Sequence, residues 1–341
     1  MSGAAVPTYR AIRLDRVAPS FREACAVVDV PLVAPGPGEI QVANRWCGIN
    51  GIFDTQMARN AVDYVTIALP SFTGVEAIGT VTAVGPGVRG FAVGDAAITT
   101  RFTGGYREAN TGPAHQFVAA PALAPEWLAL ASTGVSAMVA LEQIAEARQG
   151  ETVAISAAAG GLGHLLVQLA VGKGCRVIGV AGGAEKCAFV RSLGAERVID
   201  YRHEDVGAVL AADYRDALDV AIDTVSGPVF DAFLANLAHH GRLVVGGAAS
   251  DLEGRPEIVT GPRIAHALYY KGASVRGFMN GLLARHWDDA RRRLFDLHAR
   301  GLLQVTLDVQ ANRGIAGVFD GVERLLSGRS IGKVVVDLMP A

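Results

Sequence analysis

The sequence predicts an α/β protein in two parts, a β-rich, partly barrel-like domain and a doubly wound parallel sheet. Three observations carry that prediction. Short β-type runs fill the first third of the chain, split by Gly/Pro punctuation. From about Leu128 apolar strands alternate with helices, the rhythm of a parallel sheet covered on both faces. A loop of small residues, Ala158 to Gly163, joins one of those strands to the next helix. At 341 residues the chain also exceeds what one hydrophobic core usually serves.

Taken in order, "EIQVANRWCGI", "AIGTVTAVG" and "DAAITTRF" are the strands of the first part, separated by "APGPGE", "GPGVRG" and "AVGD". In the second part "ETVAISA" is a strand and "GLGHLLVQLAVGKG" a helix with glycine at both ends. "CRVIGVAG" is the next strand, "AEKCAFVRSLGA" a helix, then come "RVIDY" and "LDVAIDTV". The run "PVFDAFLANLAHH" reads as a helix and "GRLVVGG" as a strand. The final "GIAGVFDGVERLLSGRSIGKVVVDLMP" gives a helix and a strand that should rejoin the first domain. The expected division is residues 1–127 for the β-rich domain, 128–280 for the nucleotide domain, and 281–341 for the returning segment.

Composition excludes several classes. Half the residues are hydrophobic and 19% charged, which suits large buried cores rather than disorder. The net charge of −2, without a basic patch, gives no reason to expect nucleic acid or an anionic membrane as partner. No apolar run reaches the roughly 18 uninterrupted residues of a membrane helix, and the N-terminus lacks a signal-type apolar segment. Cys25, Cys47, Cys175 and Cys187 are scattered and read as reduced thiols. These features lead us to expect a cytoplasmic protein with a small-molecule substrate.

The loop "AISAAAGGLGHLLVQLA" reads Ala158-x-Gly160-x-x-Gly163, a dinucleotide fingerprint with alanine in place of the first glycine. Small residues let backbone approach a pyrophosphate, and the following helix points free N–H groups at the anion. We therefore assign Ala158, Gly160, Gly161, Leu162 and Gly163 to cofactor binding; a plain tight turn is the competing reading. His164 reads as a helix-surface or core residue. Enzymes that take NAD place a carboxylate at the end of the second strand. Here Gly182 and Gly183 stand there, followed by Lys186, while the third strand ends in Tyr201-Arg202. This favours NADPH, with Gly182, Lys186 and Tyr201 near the 2′-phosphate. The other reading keeps Lys186 in solvent and lets Glu185 bind the ribose.

Over nearly its whole length the chain resembles the medium-chain dehydrogenase/reductases, within them the zinc-free quinone oxidoreductase-like branch. "PSFREA", "VANRWCGIN", "AAAGGLG", "EKCAFVRSLGA", "VIDY", "GRLVVGG", "KGASVRGF" and "GKVVV" fall in the family's order. The resemblance implies a GroES-like catalytic domain, a Rossmann nucleotide domain and a homodimer. It also poses the question of metal. Zinc members read C-G-V-C-H-T-D where this chain has "RWCGINGIFD", and the ligating second cysteine falls on Asn50. The family's G-H-E histidine is replaced in Gly74-Val75-Glu76, and "AAITTRFTGGYREANTGPAHQF" holds no cysteine for a structural zinc lobe. No set of three or four ligands is left, so no metal is expected; a site built on His115 is the remote alternative.

Without a Lewis acid, reduction of an isolated ketone is disfavoured, whereas an enone spreads the developing charge over an enolate that neutral donors can hold. Asn50 is the candidate donor, although its amide would serve equally well to tie down the loop. For the proton, relatives place a tyrosine where this chain has Gln56, and Asp54 stands one position later than their aspartate. Tyr64 or water is left to deliver it. The resemblance further implies cofactor contacts at Thr133 and Ser136, at Val245, Gly246 and Gly247, at Phe278, Met279 and Asn280, and at Lys333. Quinone reduction, reduction of a carrier-bound thioester, and NADPH binding without turnover are the other functions weighed.

Overall fold

The computed structural model describes residues 6–61, 67–251 and 258–339. It divides the chain into two compact units, Met1–Ser132 with Leu307–Ala341, and Thr133–Thr306. The return to the first unit thus starts at Leu307 rather than at 281. The segment before it is held in the second unit by the helix Trp287–Ala299, which packs on Val135–Val139 and pairs Arg293 with Glu142 at 2.6 Å.

In the first unit a seven-stranded sheet has the order Leu307–Val309, Lys333–Asp337, Glu39–Gly48, Glu76–Val84, Ala96–Thr99, Phe117–Ala119, and Ala109–Pro113 also pairs with Glu39–Gly48. A smaller sheet joins Thr8–Leu14 to Cys25–Pro31 and Ser71–Phe72. Two antiparallel registers set the geometry at the end of Glu39–Gly48: Gly48 lies opposite Glu76 on one side and opposite Val335 on the other. Residues from both ends of the chain are therefore neighbours there. Below them Ile12, Leu14, Phe21, Cys47, Ile49, Tyr106, Val318 and Val336 form one apolar cluster. The helices Gly51–Ala58 and Gly317–Leu326 pack together across it, with Gly51 leaving room for Leu325.

The second unit is a six-stranded parallel sheet ordered Arg197–Asp200, Arg176–Ala181, Thr152–Ile155, Leu218–Asp223, Leu237–Val245, Ser274–Gly277. Buried on both faces, its strands are the continuous apolar runs read from the sequence. One boundary differs: the helix at Pro228 ends at Ala235, and Leu237 to His240 belong to the next strand. Asn236 terminates it by turning its side-chain amide back onto the Ala232 carbonyl, and its own carbonyl accepts from the Leu218 amide. The run Pro125–Ile144 is helical and, by length and composition alone, apolar enough to cross a membrane, although polar residues such as Glu126 and Glu142 interrupt it. Two-thirds of its 18-residue window is buried within the protein, as in a core helix.

Candidate active site

The strand order of the second unit reverses direction between Thr152–Ile155 and Leu218–Asp223, and all strands end on one edge. Open parallel sheets bind ligands at such an edge. Ser156 leads into the loop at Ala157, a non-glycine residue at φ +45°, and Ala158 donates its N–H to Val180 O. A Cβ on Gly163 would lie 2.2 Å from the Ala157 carbonyl oxygen, so only glycine lets helix and loop approach this closely. The helix Gly163–Gly172 begins without a side-chain cap, and of its first N–H groups His164 N donates to Gly160 O at 3.1 Å. His164 is a core residue: Nδ1 lies 2.9 Å from Gly160 O, and Nε2 accepts from Thr306 N at 3.2 Å. With Nε2 accepting, the hydrogen on Nδ1 is assigned toward Gly160 O.

Next along the edge, Gly182 carries no Cβ because the Tyr201 ring fills that place, its Cζ being 2.5 Å from the Cβ position. Gly183 has φ +95°, and Arg202 Nη1 stands 3.4 Å from its Cβ position. Lys186 sits half-buried in the first turns of the helix Ala184–Ser192. One carboxylate is present that sequence reading missed. Asp200 closes the third strand and accepts from Gly183 N at 2.8 Å and Arg202 N at 3.1 Å, which hold its carboxyl below the usual aspartate range. It staples the two strand ends together, and Tyr201 and Arg202 both remain exposed beside it.

Val245 ends the fifth strand and Gly246 and Gly247 follow it, where Gly246 N donates to Asp223 O at 2.7 Å. Asp223 is fully buried and accepts from Val225 N and Ser226 N, a turn that no sequence motif singles out. Phe278 N donates to Val245 O, and the Phe278 ring borders Gly246. Met279 is partly exposed. The Asn280 amide donates to Ser136 Oγ and accepts from Trp287 Nε1, both at 2.9 Å, which fixes Ser136 and this loop to one another. Thr133 precedes Ser136 in a π-helical turn, a local widening often found at functional sites.

In the first unit the "RWCGINGIFD" stretch ends its strand at Gly48 and starts its helix after Asn50. Asn50 Nδ2 donates to Glu76 Oε1 at 2.9 Å, and Asn50 Oδ1 accepts from Lys333 Nζ at 3.0 Å. Lys333 also contacts Glu76 Oε1 at 2.5 Å and the Ile49 carbonyl at 3.0 Å. An ammonium has three N–H donors, and these three acceptors use them all. The expectation that Lys333 contacts a cofactor is therefore corrected: its side chain is buried and committed to Glu76 and Asn50. Glu76 reaches Asn50 only because position 48 is glycine, since a Cβ there would lie 2.5 Å from Oε1.

Behind Asn50 lies a buried acid. Tyr106 Oη donates to Asp54 Oδ2 and accepts from Asn50 N at 3.4 Å. Burial is the largest influence on Asp54 and pushes its pKa up to about 7, against the pull of Tyr106 and Lys333. Burial likewise raises the Cys47 thiol, keeping it an inert core residue. Among the described residues no three His, Cys, Asp or Glu side chains are grouped to hold a metal, His115 included. Tyr64 lies outside the described residues.

Residues 36–140 match the alcohol dehydrogenase GroES-like domain, and residues 161–296 match the zinc-binding dehydrogenase domain. The chain is similar to prostaglandin reductase-3 of Mus musculus, 34% identical over 98% of this chain and 91% of the mouse protein. The chain belongs to the medium-chain dehydrogenase/reductase family, in its quinone oxidoreductase-like branch. It is thus an oxidoreductase by descent. A probable quinone oxidoreductase of Leishmania amazonensis is 29% identical over 97% of this chain and 98% of its own. The solved Escherichia coli quinone oxidoreductase, complexed with NADPH, superposes with a TM-score of 0.81 at 26% identity, over 96% of this chain and 99% of that one.

Proposed function

We propose that this protein is an NADPH-dependent, metal-independent reductase of activated carbon–carbon double bonds, acting on an α,β-unsaturated carbonyl. The observation that carries the reading is Asn50, a neutral amide donor fixed at the family's ligand position by Lys333 and Glu76. Val75 in place of the second ligand supports it.

The residues present fit NADPH. Glycine at 163 lets the helix close onto the Ala157–Ala158 turn, and that helix starts without a side-chain cap, so its N-terminus is left to a pyrophosphate. Lys186, Tyr201 and Arg202 around Gly182 offer two cations and a phenol to a 2′-phosphate, with Asp200 already engaged by backbone amides. When bound, NADPH supplies the hydride. Asn50 holds one N–H toward the substrate oxygen as negative charge gathers there, and Lys333 keeps that amide from rotating away. A preorganised donor of this kind contributes on the order of 100-fold in rate. The proton that completes the reduction comes from Tyr64 or from water.

The relatives named as quinone oxidoreductases support a second reading, NADPH-dependent quinone reduction. Oxidation of NADPH by a medium-chain enone and by a simple quinone separates the two, with the enone product examined by mass. Saturation of the double bond at a rate comparable with the quinone supports the proposal. Much faster quinone turnover with the enone left unsaturated refutes it.

A further inference from the structure

Lys333 and Glu76 form a buried ion pair that touches Asn50, and holding the amide in place would need a hydrogen-bond donor there but not a charged one. The antiparallel registers bring Glu76 to the end of Glu39–Gly48 from one side and the strand Lys333–Asp337 from the other. The lysine enters that strand in an otherwise apolar run, "KVVV", each member of which is buried. Burying an ammonium is costly unless it is paired and fully hydrogen-bonded. Here both conditions hold: Glu76 Oε1 neutralises it at 2.5 Å, and Ile49 O and Asn50 Oδ1 take its other donors at 3.0 Å each.

We infer that Lys333 is the positioning residue of Asn50, its buried ammonium supplying the amide with positive charge at the place where the zinc members bind metal. This rests on the enone-reductase reading and adds to it the source of Asn50's donor strength. The two bonds on Asn50 act oppositely on its remaining N–H: the Glu76 carboxylate on Nδ2 weakens it as a donor, and the lysine on Oδ1 offsets that. Lys333 draws electron density toward Oδ1, which makes the Nδ2 hydrogens better donors, and chains of hydrogen bonds reinforce one another in this way. One Nδ2 hydrogen is spent on Glu76; among the described residues the other has no protein acceptor. Asn50 is part-exposed, so that hydrogen is the one open to a substrate oxygen. Lys333 and Glu76 are buried and reach substrate only through it. The charges facing the ammonium are Glu76 in contact and Asp54 nearby, with Tyr106 between Asp54 and Asn50. One lysine thus compensates one carboxylate, and the amide lies in their field.

A double-mutant cycle tests this. Lys333→Met is compared in the wild-type and Asn50→Ala backgrounds, with Glu76→Gln/Lys333→Met as a companion that removes both charges together. The companion remains foldable where the single change strands a buried carboxylate, and the introduced glutamine still accepts from Asn50. Folding is checked by thermal unfolding, NADPH binding by its fluorescence, and turnover by kcat and KM for the acceptor that the wild type reduces. Loss of an outer-shell partner of this kind costs about 10- to 100-fold in kcat. We expect that loss in both Lys333 variants, with NADPH affinity within about twofold, and no further loss when Asn50 is already alanine. An equal loss in the Asn50→Ala background would make Lys333 merely structural and overturn the inference, as would unchanged kcat in folded protein. The side-chain amide signals of Asn50, identified by their disappearance in Asn50→Ala, give a readout free of turnover. They should move upfield in Glu76→Gln/Lys333→Met relative to Glu76→Gln alone; identical shifts in that pair also overturn the inference. A wild type that reduces neither enone nor quinone refutes the functional reading alone, and the amide signals then decide the role of Lys333.

Discussion

Asp54→Asn should make the protein more stable relative to wild type the more alkaline the solution. Asp54 is fully buried, and Oδ1 has no hydrogen-bond partner among the described residues. Its pKa rises on folding from the ordinary value of about 4 to about 7, chiefly by burial. Between those values the folded protein keeps a proton that the unfolded chain has released. Stability therefore falls as pH rises through that window and is fully reduced above pH 7 or so. A change of that size corresponds to roughly 4 kcal/mol. Asparagine does not titrate, and its Oδ1 still accepts from Tyr106 Oη. Its amide N–H groups take the place of the unpartnered oxygen, a constant penalty of about 1–3 kcal/mol at every pH. The readout is accordingly the slope. Urea unfolding of both proteins at pH 5, 6, 7 and 8, at fixed ionic strength, should show the difference moving in favour of asparagine by about 2–3 kcal/mol, the part of the window above pH 5. The comparison at each pH cancels the histidines. A difference that does not change with pH would refute the assignment of a buried, proton-holding Asp54.

Three further outcomes follow from the same geometry. Gly48→Ala places a methyl 2.5 Å from Glu76 Oε1, an atom held by Lys333 and Asn50. It should lower the unfolding free energy by about 1–3 kcal/mol and reduce kcat with it, and an unaltered denaturation midpoint would count against the packing described. Lys186→Ala should lower the NADPH-over-NADH preference in kcat/KM by about tenfold or more, the value of a charge-assisted phosphate contact; equal efficiency with both cofactors in the wild type would remove the case for Lys186, Tyr201 and Arg202. Prolonged dialysis against a chelator should leave enone turnover intact and elemental analysis should find zinc well below one equivalent. Activity that falls on dialysis and returns with zinc would disprove metal independence.

The second unit is legible in the sequence because its signals are local. A parallel strand buried on both faces announces itself as an apolar run, and "AAAGGLG" combines small residues with a strand before and a helix after. The helix ending at Ala235 reads too long because "LANLAHH" keeps a helical composition. What stops it is Asn236 folding back on Ala232 while its carbonyl bonds to Leu218 N, a contact across the sheet. The first unit hides more. Asn50, Glu76 and Val75 can be aligned by motif, but Lys333 meets them only through two strand registers, and a motif near the chain end suggests a cofactor turn. The signal that corrects this is physical: a lysine opening "KVVVD", whose four following residues are buried, needs a buried acceptor. Tyr106 gives no signal at all, because its partner Asp54 lies in a helix 52 residues away.

Counting charge around Asn50 ties these pieces together. Two carboxylates, Glu76 and Asp54, and one ammonium, Lys333, share a buried neighbourhood. Glu76 takes the lysine, and the surplus carboxylate meets the cost of burial by holding a proton and accepting from Tyr106. The cluster is then neutral below about pH 7, where Asp54 keeps its proton, and its lysine remains directed at Asn50 Oδ1. Zinc ligands bring a dication to a substrate oxygen; this arrangement brings a single, indirect charge through an amide. Such a donor is weak for the localised alkoxide of a ketone reduction and adequate for an enolate, whose charge is already dispersed. Raising pH should therefore act on the protein in two separable ways: ionisation of Asp54 weakens the fold, and it adds a negative charge beside Tyr106 that opposes the oxyanion. If enone turnover per folded molecule stayed flat from pH 6 to 8 while stability fell, Asp54 would be electrically isolated from the oxygen that Asn50 serves, and the coupling argued from this cluster would be wrong.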